Sequence, residues 1–184
     1  MQGMTPKPKK GSDAFEIENR KQIFEYIKSH PGNHLREIQR KLNIPLGTLE
    51  YHLRYLVEID LIVEKEDGHY RRYYPQGTIG SRDKKILSML NQPIPRKILM
   101  YLLLHPNSNF KEIAKNFSES PSTISFHVDK LIKSELIKKE KLGREMLYSV
   151  IDEQSVAKML ITYKQSFLDS LVESFVETWC ELHP

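Results

Sequence analysis

The 184-residue sequence predicts a mostly α-helical protein with small β-hairpins: two tandem domains, each of three helices and a hairpin, followed by one long C-terminal helix. Three observations predict it. The chain repeats itself at an offset of 75 residues, each copy reads as three helices and a hairpin, and residues 152–182 contain neither glycine nor proline.

The repeat sets the domain count. Residues 26–75 align without a gap on residues 101–150, with twelve identities. Among them are His30/His105, Pro31/Pro106, Glu37/Glu112, Thr48/Thr123, His52/His127, Gly68/Gly143 and Tyr73/Tyr148. Apolar positions also match in kind, as in Leu35/Phe110, Leu49/Ile124 and Leu53/Val128. Each of two copies must bury its own core, which makes a tandem of domains and not a solenoid.

In the first copy, Asp13 and Glu16 have capping-box spacing and open a helix with the apolar stripe Phe15, Ile23, Phe24 and Ile27. His30-Pro31-Gly32 ends it. Leu35, Ile38 and Leu42 line a short second helix, closed by the turn Asn43-Ile44-Pro45. A third helix, over about 46–59, sets Leu49, Leu53 and Leu56 on one side at spacings of four and three. Residues 61–65 and 70–74, either side of Asp67-Gly68, read as a hairpin. The second copy repeats this with helices over 98–104, 110–117 and 122–134 and a hairpin turning at Gly143. Ser120 and Pro121 form a cap and first turn for its third helix. Residues 83–90 form an amphipathic helix, broken by Pro93 and Pro95, that belongs with the second copy. The expected division is a basic flexible arm (1–12), a first domain (13–75), a linker (76–82), a second domain (83–151) and a C-terminal docking or dimerisation helix (152–184).

Two short helices with a tight turn, followed by a hairpin, make a helix-turn-helix with a wing. GTLEYHLRYL and STISFHVDKL, each with Leu-Ile starting five residues on, resemble the ArsR/MarR-like winged-helix superfamily. The two-unit layout is similar to archaeal-type transcriptional regulators with two tandem winged helix-turn-helix domains, over about residues 15–150. The resemblance implies DNA binding, and pairing of two chains through the last helix.

Composition narrows the alternatives. No run approaches the roughly 18–20 apolar residues of a membrane span, and the N-terminal stretch is polar and basic without a secretion signal, so a cytoplasmic protein with no membrane partner is expected. Cys180 is the single cysteine, which precludes an intrachain disulfide and fits a reducing compartment. The net charge of +4 is distributed as +2 over 1–80, +6 over 81–151 and −4 over 152–184. A basic middle suits a polyanion and an acidic tail does not. The chain has no phosphate-binding glycine loop, no metal-ligand pair on a helix and no nucleophile in a recognisable setting, so no enzyme, cofactor or metal is expected.

With Leu49 turned to the core, a step of 100° per residue turns Tyr51 and Arg54 outward. Thr48, Glu50, Tyr51 and Arg54 are the expected base-reading set, with Arg54 suited to guanine and Glu50 to the cytosine amino group. The second copy offers Ser122, Thr123, Ser125 and Phe126, with Asp129 in place of Arg54, so either the two copies read different sequences or one of them does not read DNA. Phe126 suits a thymine methyl or a protein partner. Arg71 and Arg72 in the first hairpin, beside His69 and Tyr70, are expected on the DNA backbone. So are Lys141 and Arg144 in the second, next to Lys138 and Lys139. Lys7, Lys9 and Lys10 make either a minor-groove arm or a solvated tail. His52 and His127 share one slot beside the core with no second ligand at metal spacing, so each is expected to bond a neighbouring backbone group.

Val156, Leu160, Tyr163, Phe167, Leu171, Phe175, Trp179 and Leu182 recur at spacings of three and four, as on one helix roughly 45 Å long at 1.5 Å per residue. It either folds back over the domains or pairs with a second chain. Phe167, Leu171, Phe175 and Trp179 are the expected homodimer contacts, because that end is too apolar for water. The leading function is a sequence-specific double-stranded DNA-binding transcriptional regulator. The alternative, favoured by Phe126, Asp129, the nearly neutral first unit and the acidic tail, is a winged-helix adaptor in which one unit recruits a transcription factor or another partner.

Overall fold

The computed structural model describes residues 10–167 and 169–183, and side chains from Glu16 onward. The expected arm cations Lys7 and Lys9, and the side chains of Lys10, Asp13 and Phe15, lie outside the described residues. The chain divides into two compact units between Ile79 and Gly80.

The first unit comprises α1 (Lys10–Ser29), α2 (Leu35–Leu42), α3 (Leu46–Glu58) and an antiparallel hairpin of β1 (Ile62–Asp67) and β2 (Tyr70–Pro75). The second opens with α4 (Ser81–Leu90) and α5 (Pro93–Leu104), followed by β3 (Ser108–Asn109), α6 (Phe110–Lys115) and α7 (Pro121–Lys133). Its hairpin of β4 (Ile137–Leu142) and β5 (Glu145–Val150) leads to α8 (Glu153–Thr162), α9 (Lys164–Phe167) and α10 (Ser170–Leu182). Among the described residues, no helix is long and apolar enough to cross a membrane.

The repeat reappears as two equivalent cores. Ile23, Ile27, Ile38, Leu49, Leu53, Leu56 and Ile62 are at most 2% exposed in the first unit. So are their partners at the 75-residue offset, Ile98, Leu102, Ile113, Ile124, Val128, Leu131 and Ile137. The backbone repeats as well. Asp60 and Glu135, each ending a third helix, both have φ of 56°, and the hairpin glycines Gly68 and Gly143 have φ of 60° and 63°. Left-handed backbone costs glycine little and other residues more, which accounts for the shared hairpin glycine. The lone bridge His34–Arg72 in the first unit is the counterpart of Asn109–Leu147 in the three-stranded sheet β3-β5-β4 of the second. The shared glutamate caps the second helix of each unit: Glu37 Oε2 accepts from the His34 N–H at 2.9 Å, and Glu112 Oε2 from the Asn109 N–H at 2.8 Å.

Three elements depart from expectation. The first helix runs back through Asp13 to Lys10, so Asp13 does not start it and residues 10–12 are helical rather than part of an arm. Gly11 costs only about 1 kcal/mol inside a helix and no proline intervenes. α4 ends at Leu90 ahead of Pro93, as expected, but the next helix starts before Ile98: Pro93 opens α5 from its first position, where the missing N–H has no intrahelical partner to lose. The C-terminal segment is helical as expected, yet as three helices instead of one. Asp169 interrupts it: its side chain caps α10, accepting from the Leu171 N–H at 3.1 Å, and pairs with Arg96 of α5 at 2.9 Å. At this second break, beyond the one at Tyr163, a local cap and a tertiary ion pair act together where neither glycine nor proline is present.

α10 lies within the second unit, against α5 and α8. The surface facing it is apolar, with Met100, Leu104 and Phe117 beside Phe175. At the same offset the first unit carries Glu25, Ser29 and Leu42. The extra helix therefore has a prepared seat in one copy of the repeat only.

Candidate nucleic-acid interface

In the first unit α3, the start of α2 and the hairpin enclose a cleft of about 760 Å³. Glu50 and Arg54 enter it from α3, Arg36 from α2, and His69, Tyr70 and Arg71 from the hairpin. Arg54 is exposed and makes no ion pair among the described residues. Arg71 reaches Glu64 at 3.5 Å from an exposed position, a solvent-screened contact that a phosphate can replace at little cost. The His34 ring stacks on Tyr70, centroids 4.7 Å apart, and so joins the second helix to the wing. Burial first, then the charges of Arg72 and Arg40, push the His34 pKa down, while Glu37 opposes them. Burial thus disfavours a charge on that ring, and the cations of the cleft are its guanidinium groups.

Of the expected base-reading set, Glu50 and Arg54 share the cleft. Tyr51 is exposed on α3 outside it, and Thr48 is half-buried. Arg72 does not line the cleft. It is 4% exposed, with Nε donating to Asp67 Oδ2 at 2.6 Å and Nη1 donating to the Gly32 carbonyl at 2.8 Å. Alternation along β2 turns Arg71 to solvent and Arg72 inward, where it fastens the wing to the α1–α2 loop. Arg36 and His34 line the cleft but were not among the expected residues. Their signal was present in part, since Arg36 pairs with the basic Lys111 in the repeat alignment.

The second unit presents Ser122, Ser125 and Phe126 on the exposed side of α7, with Asp129 one turn on. Thr123 is half-buried and engaged in the helix cap: its N–H donates to Ser120 Oγ at 3.2 Å, and the two hydroxyls lie 2.8 Å apart. Ser122 Oγ is 2.9 Å from the same hydroxyl. Lys139, Lys141 and Arg144 of the hairpin are exposed and make no ion pair among the described residues, whereas Lys138 pairs with Glu140 at 2.8 Å.

His52 is 1% exposed and His127 half-buried, and neither Nδ1 makes the expected backbone bond. Burial foremost, with Arg20 beside His52 and Lys130 beside His127, holds both rings below the usual histidine pKa. Among the described residues no group of three or more His, Cys, Asp or Glu is placed to hold a metal.

The expected dimer contacts are mostly interior. Phe167, Phe175 and Trp179 are buried in the second unit, leaving Leu171, 48% exposed, at the surface. The stripe that was too apolar for water is covered by α5 and α8 of its own chain.

Two family models agree with this architecture. A family model described as an N-terminal HTH domain matches residues 17–87, and one described as winged helix-turn-helix DNA-binding matches residues 91–138. The chain is 33% identical over 133 residues to MJ1398 of Methanocaldococcus jannaschii, named an uncharacterized HTH-type transcriptional regulator; the match covers 72% of this chain and 33% of that one. YdfF of Bacillus subtilis, named likewise, is 33% identical over 96 residues, 49% of this chain and 41% of that one. The chain thus spans about a third to two fifths of the length of these relatives. Among solved structures, an ArsR-like transcriptional regulator from Rhodococcus sp. RHA1 is similar at a TM-score of 0.38 and 20% identity, over 46% of this chain and 78% of that one.

Proposed function

We infer that this chain, a winged helix-turn-helix protein in both of its units, is a sequence-specific double-stranded DNA-binding protein that regulates transcription. The observation that carries the reading is the first unit's cleft, in which Arg36, Arg54 and Arg71 converge from three different elements. With α3 in a major groove, Arg54 reaches a guanine edge and Glu50 the amino group of a neighbouring cytosine. The cleft then receives the sugar-phosphate strand bordering that groove, with Arg36 and Arg71 against its phosphates. In the second unit Ser122, Ser125 and Phe126 take the base-reading place, and Lys139, Lys141 and Arg144 take the backbone.

Selection of duplexes from a randomised pool at near-physiological salt tests this. An enriched motif is expected, and retention without enrichment would overturn sequence-specific binding. On the selected duplex, Arg54→Ala is expected to cost roughly ten- to a hundredfold in affinity and to relax one G·C position, the ~1–3 kcal/mol of a bidentate base contact. Arg71→Ala is expected to weaken all sequences alike and to lower the salt slope by about one.

A homodimer joined by the C-terminal segment would use the exposed Leu171 and Leu182 in place of the buried aromatics. Sedimentation equilibrium of Leu171→Asp is then expected to show a monomer where the parent chain sediments as a dimer.

A further inference from the structure

The outward row of α7 is unlike that of α3. Phe126 occupies the slot of Tyr51 in the repeat and is 64% exposed, more than Tyr51 at 51%. Its ring touches His127 edge-on, centroids 5.2 Å apart. Its neighbours on the outward face are Ser122, Ser125 and Asp129, all exposed. The first basic residue of α7, Lys130, is half-buried and donates to Gln92 Oε1 at 2.6 Å. This row carries no guanidinium to clamp a guanine, and its exposed cation, Lys133, lies two turns beyond Phe126. It offers an apolar ring between short hydroxyls.

What covers that ring is set by the rest of the unit. Its hairpin holds Lys139, Lys141 and Arg144 exposed and without ion pairs among the described residues, and the acidic residues 152–184 that lower the unit's net charge lie on other elements. A wing so charged suits a polyanion better than an apolar protein face. Among the bases, thymine alone displays an apolar group in the major groove, its 5-methyl, and a phenylalanine ring is one of the side chains that meets it.

We propose that Phe126 is the specificity-determining residue of the second unit, packing on a thymine 5-methyl group so that α7 selects T·A where α3 selects G·C. This rests on the DNA-binding reading above.

Uracil presents the same hydrogen-bonding edge as thymine and lacks only the methyl, which makes it the probe. The full-length chain is titrated with the selected duplex and with duplexes carrying uracil at one thymine at a time. At one or two positions the parent chain is expected to lose about fourfold per methyl, from ~0.8 kcal/mol for burying a methyl-sized group. Phe126→Ala is expected to bind thymine and uracil duplexes equally, and Phe126→Leu to retain the preference. The ring is exposed, so neither variant disturbs the core.

A parent chain that enriches a motif but is indifferent to uracil at every position would overturn this proposal alone. So would a Phe126→Ala chain that keeps the preference. Unchanged DNA binding by Phe126→Ala, together with loss of a bound protein, would reassign the residue to a protein partner. A parent chain that retains no duplex would remove the DNA-binding reading and this proposal with it.

Discussion

Arg72→Ala is expected to destabilise the first unit by about 2–3 kcal/mol, while Arg71→Ala, one residue away, leaves its stability nearly unchanged. Removing one partner of a buried ion pair costs about 3–5 kcal/mol, because the other partner is left without compensation. The Asp67 side chain is 31% exposed and recovers some hydration, which places the expected loss at the lower end or below. The Gly32 carbonyl loses its Nη1 donor in the same variant. Arg71 is exposed, and its contact with Glu64 is worth little. The measurement is urea denaturation of the full chain. Its single tryptophan, Trp179, is buried on α10, so fluorescence follows the second unit and far-ultraviolet circular dichroism follows both. Arg72→Ala should shift the circular-dichroism transition and leave the fluorescence transition in place. Equal midpoints for the Arg71 and Arg72 variants would refute the fastening role. Loss of DNA affinity by Arg72→Ala would then report a loosened wing, so only the Arg71 variant isolates a phosphate contact.

The same pair of residues marks how far the sequence is legible. Repetition with period 75 identifies both cores, because burial constrains the same apolar positions in each copy. It also identifies the turn at Gly68/Gly143, where backbone geometry constrains the residue type. Helical periodicity identifies the outward rows of α3 and α7. Charge type does not say which side of a strand a residue occupies, so Arg71 and Arg72 look alike until the wing is docked on the α1–α2 loop. Arg36 was missed because the first turn of a short capped helix carries no signal that the hairpin folds over it. The hydroxyls of Ser120, Ser122 and Thr123 resemble base-reading groups in sequence, but the half-buried Thr123 is engaged in the cap. At Asp169 the local signal, an aspartate that can cap a new helix, is weak beside the unbroken periodicity, and its ion-pair partner Arg96 stands 73 residues away in the chain.

Asp169→Ala is expected to have the largest effect, about 3–5 kcal/mol in the second unit, by leaving a buried guanidinium without its counter-charge. The Arg96 side chain is 5% exposed. Its remaining contacts are the Leu90 carbonyl at 2.7 Å and the Phe167 ring at 5.2 Å, and its Nε has no hydrogen-bond partner among the described residues. The variant also removes the cap of α10, worth about 1 kcal/mol. The fluorescence transition should move and the first unit's transition should not. Asp169→Asn keeps an oxygen for the cap and removes only the charge, which separates the two contributions. The charge has a pH signature. Burial alone would push the Asp169 carboxyl up, but the hydrogen bonds from Arg96 and the Leu171 N–H, with the charges of Arg96 and Lys97, hold it below the usual carboxylate range. A carboxylate whose pKa is depressed by folding stabilises at all pH above its unfolded pKa, ~3.9, and loses that contribution as pH falls through the folded value. The stability difference between the parent chain and Asp169→Asn should therefore be constant near neutrality and shrink below about pH 4. Other carboxylates cancel in that difference. A gap that persists unchanged at pH 2 would show that the loss comes from packing and the cap, with no contribution from the Arg96–Asp169 charge pair.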